Sequence, residues 1–207
     1  MKDYKFYFRK SSFKKDLING NFLLSLINEY KPSNFLEIGV LEGVTSRNVC
    51  EILSRLNNGN FSFTGIDLFG HDIESNNTKE FTPISKKINN PFKWIYFKLF
   101  LKMNPNSKKC VELLLKKFKN KINIHKGYSQ DILKTINLKK INFVFLDGGH
   151  SYETVKEDLR ILVSNLKDKS IIVCDDYNIQ HYGVKKAVDE QKMAHDFIDY
   201  GRFALLK

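Results

Sequence analysis

Short apolar runs alternate with amphipathic stretches along most of the 207-residue chain. Apolar runs that stop at a glycine or an acidic residue are typical of buried strands, and they occur at residues 34–39, 61–67, 121–127, 141–147 and 170–176. Apolar residues at helical spacing predict helices at residues 16–30, 44–56, 151–166 and about 182–195. The last twelve residues predict two further strands around Gly201-Arg202.

This alternation of strands and helices predicts an α/β fold. We expect a doubly wound, mostly parallel seven-stranded sheet with helices on both faces and an antiparallel C-terminal hairpin. The pattern indicates a single domain over residues 1–207 with one irregularity, a basic and aromatic insertion at about 69–120. That connection is roughly twice the usual length of a crossover between strands.

The insertion contains the aromatic stretch NPFKWIYFKLFLKMNP at 90–105, with lysines between the apolar residues. We predict a lid over an acceptor site or a dimer contact that would make the protein a homodimer. Attachment to a membrane surface and a helix folded onto the domain's own core are the alternatives.

Positive charge is concentrated in two parts of the chain, which carries a net charge of +11. Residues 69–121 hold twelve lysines and four acidic residues, residues 1–16 hold six basic and two acidic residues, and the remainder is almost neutral. This distribution could steer an anionic substrate or surface toward a neutral core, or reflect only a lysine- and asparagine-rich composition. We expect no nucleic-acid partner.

Cysteine usage and hydropathy favour a cytoplasmic protein. Cys50, Cys110 and Cys174 are far apart and form no Cys-x-x-Cys pair, which indicates a reducing compartment. The N-terminal residues are charged where a signal peptide would be apolar, and no apolar window is long enough to span a bilayer.

Acidic residues stand at the ends of four predicted strands. Glu37 closes the first strand, Asp67 the second, Asp147 the fourth and Asp175-Asp176 the fifth. Ligands of parallel α/β sheets bind at the carboxyl ends of the strands, where these side chains would meet. A single such residue is often a helix cap or a turn residue, but capping does not readily account for all four.

A glycine-containing turn follows the first strand, in the pattern Glu37-x-Gly39-x-x-x-Gly43. Glycines permit a tight turn and close approach of a ligand, and the next helix offers free N–H groups. Asp67, 24 residues after Gly43, could accept hydrogen bonds from both hydroxyls of a ribose. The spacing differs from the G-x-G-x-x-G dinucleotide fingerprint, so the pattern indicates an adenosine-containing ligand other than NAD or FAD.

In order along the chain, these motifs resemble class I S-adenosylmethionine-dependent methyltransferases, and within them the metal-dependent O-methyltransferases. The segment GYSQDI (127–132) is similar to the part of catechol O-methyltransferase that packs on the adenine. The segment DGGHSYETVKEDL (147–159) resembles the small bacterial group of macrocin O-methyltransferase-like sugar enzymes. The resemblance covers about residues 33–207 apart from the insertion.

The resemblance implies S-adenosyl-L-methionine as the cofactor and assigns roles in binding it. Gly39 and Gly43 would let the loop pass beneath the methionine portion, Glu37 would hold that loop, and Thr45 would approach the carboxylate end. Asp67 would bind the ribose, and Ser129 and Gln130 would line the adenine.

The resemblance also implies that Asp147, Asp175 and Asp176 bind a divalent cation. Three converging carboxylates repel one another unless a cation neutralises them, and an all-oxygen set favours Mg²⁺, with Mn²⁺ or Ca²⁺ as alternatives. His150 is the first candidate for the general base and Asp147 the second. His150 could instead be a fourth ligand, a helix cap or a residue that orients an aspartate.

Two departures from catechol O-methyltransferase affect this assignment: Asp176 stands where that enzyme has Asn, and a lysine at the base position is missing. Tyr152 and Tyr177 flank the same edge and could line the acceptor pocket.

The predicted function is divalent-metal-assisted methyl transfer to a hydroxyl of a sugar, glycan or secondary metabolite. The alternatives are a methyltransferase of the same fold with a phenolic or amine acceptor and no metal dependence, and a non-catalytic cofactor-binding module.

Overall fold

The structure is a computed structural model that describes residues 3–15, 17–69, 88–192 and 196–207. The described residues form a mixed sheet of seven strands. The strands are β1 (Asn34–Ile38), β2 (Ser62–Asp67), β3 (Ile122–Lys126), β4 (Phe143–Leu146), β5 (Ile171–Cys174), β6 (Phe197–Asp199) and β7 (Ala204–Leu206).

The strands lie in the order β3-β2-β1-β4-β5-β7-β6. The first five of these are parallel, and β7 pairs antiparallel with both β5 and β6. Ile38 pairs with Ile66 on one side and with Leu146 on the other, so the central strands end at the same level. The predicted fold, including the antiparallel C-terminal pair, is therefore confirmed.

The helices of the described residues cover the connections between the strands. They are α1 (Leu17–Tyr30), α2 (Val44–Leu56), α3 (Pro91–Trp94), which continues into a π-helix (Ile95–Phe100), α4 (Lys108–Leu114), α5 (Ser129–Leu133), α6 (Tyr152–Asn165) and α7 (Tyr182–Asp189). The helix predicted near 182–195 ends at Asp189, and residues 193–195 lie outside the described residues.

Alternate strand residues pack into two cores, one on each face of the sheet, because successive side chains of a strand point in opposite directions. On one face, Phe35 stacks on Phe143 and Phe63 with ring centroids 5.1 and 5.9 Å apart, beneath α1 and α2. On the other, Leu36 and Leu146 belong to a core completed by α6 and α7.

The described part of the predicted insertion divides into two pieces with different environments. Val111 and Leu115, in and just after α4, are fully buried in the core beside α2. In α3 and the π-helix, by contrast, Phe92 is 72% and Phe100 77% exposed, whereas Phe97 is buried. The lid and dimer roles of residues 90–105 stay predictions, and residues 70–87 lie outside the described residues.

The basic N-terminal segment is anchored to the domain by a few large side chains. Phe13 is fully buried in the core, and the buried Arg9 guanidinium donates to the carbonyl oxygens of Glu42 and Cys110 at 3.1 and 2.9 Å. Residues 10–15 therefore lie beside the glycine turn. Among the helices of the described ranges, none is long and apolar enough to cross a membrane.

Candidate active site

A cavity of about 310 Å³ opens at the carboxyl ends of β1 to β4. Most of the residues predicted to form the site line it: Gly39, Asp67, Ser129, Gln130, Asp147, His150 and Asp176. Glu37, Gly43, Thr45 and Asp175 do not line it, and each contacts other parts of the protein.

Asp67 is held in one orientation by backbone N–H groups. Its Oδ2 accepts from Leu41 at 2.8 Å and its Oδ1 from Phe69 at 2.6 Å. Burial raises the pKa of this carboxyl, and the bonds from Leu41, Phe69 and Val40 oppose that rise. A carboxylate offers about four lone-pair positions, so both oxygens retain capacity to accept hydroxyl groups of a ligand.

Gly39 is required where the turn crosses the end of β4. Its φ is +97°, and a Cβ at this position would lie 1.9 Å from the carbonyl oxygen of Asp147. Any side chain would collide with backbone, so the contact between the β1 and β4 loops depends on glycine.

Gly43 and Thr45 lie at the start of α2, outside the cavity lining. Gly43 has φ +76°, and a Cβ there would come within 3.0 Å of Val111 in α4. Thr45 is buried, and its Oγ1 shares a 2.7 Å hydrogen bond with the hydroxyl of Tyr4. These residues join the turn to α4 and to the N-terminal segment, and their predicted contacts with a cofactor stay predictions.

Glu37 is a fully buried acid on β1. Its Oε2 accepts a 2.5 Å hydrogen bond from Ser46 in α2, whereas Oε1 has no partner among the described residues. Burial raises its pKa to about 8, with the Ser46 bond opposing and the charge of Asp67 adding to the rise. Glu37 is therefore mostly protonated near neutral pH and ties β1 to the start of α2.

Ser129 and Gln130 begin α5 and line the cavity at its β3 end. The Ser129 hydroxyl lies 2.7 and 2.9 Å from the two carboxylate oxygens of Asp158, which is fully buried in α6. This bond joins the start of α5 to α6 at this end of the cavity.

The predicted metal ligands come together at the opposite end of the cavity. Asp147, Asp175 and Asp176 each offer a carboxylate oxygen within 4.8 Å of the others. Burial, followed by the negative charges of Asp175 and Asp176, raises the pKa of Asp147 well above its ordinary value. The prediction that these carboxylates converge is confirmed, although metal binding itself stays a prediction.

Asp175 is already paired with a cation of the protein. Arg202 Nε donates to Oδ1 at 2.5 Å and Nη2 to Oδ2 at 2.6 Å, and the Asp175 side chain is fully buried. Burial alone would lower the pKa of Arg202, but its bonds to Asp175 raise it overall. Part of the repulsion among the carboxylates is therefore relieved by Arg202.

Asp176 lines the cavity together with His150 and also lies close to His181. Its Oδ2 lies 3.0 Å from Nε2 of His150 and 3.7 Å from Nε2 of His181, and the two imidazole rings are 4.7 Å apart. Burial alone would raise the pKa of Asp176, but the bond from His150 and the charges of Arg202 and His181 lower it overall. These three residues form a second group whose ligand atoms lie within 4.8 Å of one another.

His181 and Arg202 are site residues that the sequence did not reveal. A Cβ at Gly183 would lie 2.6 Å from the carbonyl oxygen of His150, so glycine permits the close approach of α7 that brings His181 to His150. Arg202 reaches the site from the turn between β6 and β7. The signal for His181, a histidine five residues beyond Asp176, is weak without the fold.

Comparison with known proteins places the chain in a family. Residues 36–177 match the family model described as a methyltransferase domain. No curated protein matches the sequence.

Solved methyltransferase structures share the fold. NovP is 17% identical with a TM-score of 0.62, over 90% of this chain and 79% of that one. CalS11 is 14% identical with a TM-score of 0.62, over 94% and 80%. PaMTH1 from Podospora anserina, solved with S-adenosylhomocysteine, is 12% identical with a TM-score of 0.61, over 93% and 78%.

The family match covers most of the chain, and it agrees with a cavity that combines the glycine turn, Asp67 and Asp147 at one edge of the sheet. The chain belongs to the methyltransferase domain family, and it is an enzyme that transfers methyl groups.

Proposed function

We propose that this protein methylates a hydroxyl group of a sugar, glycan or secondary metabolite with the assistance of a divalent cation. The observation that carries the proposal is the convergence of Asp147, Asp175 and Asp176 within 4.8 Å, next to His150 and at one end of the cofactor cavity. CalS11, which shares the fold, is described as a TDP-rhamnose 3'-O-methyltransferase, which supports a sugar acceptor.

The lining of the cavity suits S-adenosylmethionine chemically. Ile38, Leu41, Ile66 and Leu68 supply apolar walls, and Asp67 presents a fixed carboxylate to a ribose. When bound, the cofactor supplies an electrophilic methyl group on a sulfonium. We infer that the bare backbone at Gly148 and Gly149, which also line the cavity, leaves room for it beside Asp147.

The donor set fits a divalent cation in part. Asp147 and Asp176 line the cavity, and hard cations prefer such oxygen ligands. Asp175 is less accessible, because both of its oxygens accept hydrogen bonds from Arg202. A bound cation would polarise an acceptor hydroxyl, whose pKa is otherwise close to that of water, roughly 15.7.

His150 is the residue that we assign as general base. It lines the cavity, and the hydrogen bond between its Nε2 and Asp176 would orient the imidazole and stabilise its protonated form. In this scheme the hydroxyl proton passes to His150 as the oxygen bonds to the methyl group, and the products are a methyl ether and S-adenosylhomocysteine.

Calorimetry and turnover together test the proposal. The full chain is titrated with S-adenosylmethionine with and without Mg²⁺, and methyl transfer to a panel of sugars and phenols is followed with and without EDTA. Asp147→Asn is expected to bind the cofactor and to lose turnover, whereas Asp168→Asn, at an exposed turn, is expected to keep both.

The pairing of Asp175 with Arg202 supports one alternative, a methyltransferase of this fold that needs no metal and acts on a phenol or an amine. Turnover that survives EDTA and the Asp147→Asn change would establish that alternative. Binding of S-adenosylmethionine without turnover of any acceptor would favour a non-catalytic cofactor-binding module, and failure to bind it would overturn the proposal.

A further inference from the structure

A second groove, of about 1000 Å³, adjoins the cofactor cavity. Its walls are the N-terminal segment at 10–15 and residues 88–106, and it shares Ser12 and Leu41 with the cavity. Ser12 Oγ lies 3.4 Å from Oδ2 of Asp147. The groove therefore leads directly to the proposed reaction centre and has the position of an acceptor site.

The groove is strongly basic. Among the described residues, its lining includes Lys10, Lys14, Lys15 and Lys98 but a single acid, Glu42. None of the four ammonium groups forms an ion pair with a described carboxylate. Glu42 is buried, and its Oε2 accepts the backbone N–H of Lys10 at 2.7 Å.

Further positive charge lies close to the same lysines. Burial lowers the pKa of Lys93, and the charges of Lys14, Lys10 and Arg9 lower it further, against the opposing charge of Glu42. Such crowding of like charges around a concave surface concentrates anions there. A ligand that carries negative charge would supply the missing counter-charge.

Trp94 provides a second kind of contact in the groove. Its indole is 46% exposed and belongs to the lining. An indole combines a flat apolar face with one N–H donor. A sugar or base ring of an acceptor would find in Trp94 a flat apolar surface to stack on.

We propose that this groove binds the acceptor through a phosphate or diphosphate ester, so that the acceptor is a phosphorylated or nucleotide-linked sugar. Several dispersed lysines match a group with more than one negative charge and several acceptor oxygens better than a single carboxylate. The inference rests on the proposed function, because it takes the groove as the acceptor site of a methyltransferase.

The test is a calorimetric titration of the full chain, saturated with S-adenosylhomocysteine, by UDP-glucose, glucose 1-phosphate and unphosphorylated glucose. The variant is Lys14→Gln with Lys98→Gln. The control is Lys139→Gln with Lys140→Gln, which removes the same charge at an exposed site away from the groove. We expect the phosphorylated ligands to bind to the wild-type protein. The variant should bind them about tenfold or more weakly, and added salt should lower the affinity of the wild type for them.

Binding to lipid vesicles distinguishes an acceptor with a free sugar phosphate from one whose phosphate is linked to a lipid. Phosphatidylcholine vesicles with and without phosphatidylinositol are tested with the same variants. Lysine-dependent binding to the soluble ligands indicates a free sugar phosphate, and lysine-dependent binding to the phosphatidylinositol vesicles alone indicates a lipid-linked acceptor.

Two outcomes overturn the inference: no binding of any phosphorylated probe, or equal weakening in variant and control. S-adenosylhomocysteine binding is measured in wild type and in each variant. A wild-type protein that does not bind it would contradict the proposed function itself. Retained cofactor binding without phosphate recognition would contradict only the acceptor class.

Discussion

Arg202 holds Asp175 through two hydrogen bonds of 2.5 and 2.6 Å at the end of β5. Replacing the arginine, as in Arg202→Met, would leave a buried carboxylate without its counter-charge. Breaking one partner of a buried ion pair costs about 3–5 kcal/mol, and we expect a loss of this size in the free energy of unfolding, measured by urea denaturation.

The matched control is Arg160→Gln, which breaks a 2.7 Å pair with Glu157 on the exposed face of α6. No measurable change is expected there, since exposed pairs contribute little. We also expect Mg²⁺ to raise the melting temperature of Arg202→Met more than that of wild type, because Asp175 becomes available to a cation. Equal stability of the two variants would show that the Arg202 pair does not stabilise the fold.

Substitution of Gly39 tests the contact between the β1 and β4 loops. In Gly39→Ala the new Cβ would lie 1.9 Å from the carbonyl oxygen of Asp147, so the turn must shift away from the site. We expect a loss of S-adenosylmethionine affinity in calorimetry and a lower melting temperature.

Gly59→Ala is the control that measures the cost of the backbone angle in the absence of a collision. Gly59 has φ +77°, close to the +97° of Gly39, but nothing lies within 4 Å of a Cβ built there. A left-handed angle costs a non-glycine residue about 1–2 kcal/mol, and only this cost is expected for Gly59→Ala. Similar behaviour of the two variants would mean that the turn accommodates a side chain.

Metal selectivity tests which side chains bind the cation. Carboxylates favour Mg²⁺, whereas imidazoles favour Zn²⁺ and other transition metals, and Asp176 belongs to both groups of potential ligands. We expect Asp176→Asn to lower the affinity for both ions and His181→Asn to lower the affinity for Zn²⁺ alone, each by at least about tenfold.

Calorimetric titration of each variant with MgCl₂ and ZnCl₂ measures these affinities, and Asp168→Asn serves as the exposed control. Weaker Mg²⁺ binding in His181→Asn would assign the histidine to the magnesium site. Unchanged affinities in Asp176→Asn would remove that residue from both sites.

Local patterns predicted much of the fold and of the site. The apolar runs identified the five parallel strands to within one or two residues, because a strand buried on both faces is apolar without interruption. The strand-end acids Asp67, Asp147 and Asp176 could be predicted as site residues because a parallel sheet brings the carboxyl ends of its strands to one edge.

Features that depend on long-range contacts could not be read from the sequence. The pairing of Arg202 with Asp175 joins residues 27 positions apart, and His181 reaches His150 only because Gly183 permits close packing. Helix α4 lies in a lysine-rich stretch and was not predicted. Its burial against α2 depends on the contact between Val111 and Gly43. Such contacts leave no periodic signal in the local sequence.

The buried Glu37 should make stability depend on pH. Its pKa is raised from an ordinary value of 4.5 to about 8 in the folded protein. Between these values the unfolded chain releases the proton and the folded chain keeps it, so stability falls as pH rises through this window. The contribution is fully present below pH 4.5 and is lost by about pH 8.

Glu37→Gln keeps the neutral form at every pH and should remove this dependence. The free energy of unfolding of wild type, relative to the variant, is expected to fall by at most about 1.4 kcal/mol for each pH unit in the window. Urea denaturation at several pH values from 5 to 8 measures it, with Glu29→Gln on the exposed end of α1 as the control. Parallel curves for wild type and Glu37→Gln would show that Glu37 is ionised in the folded protein, and its unpartnered oxygen would then need a cation that the described residues do not supply.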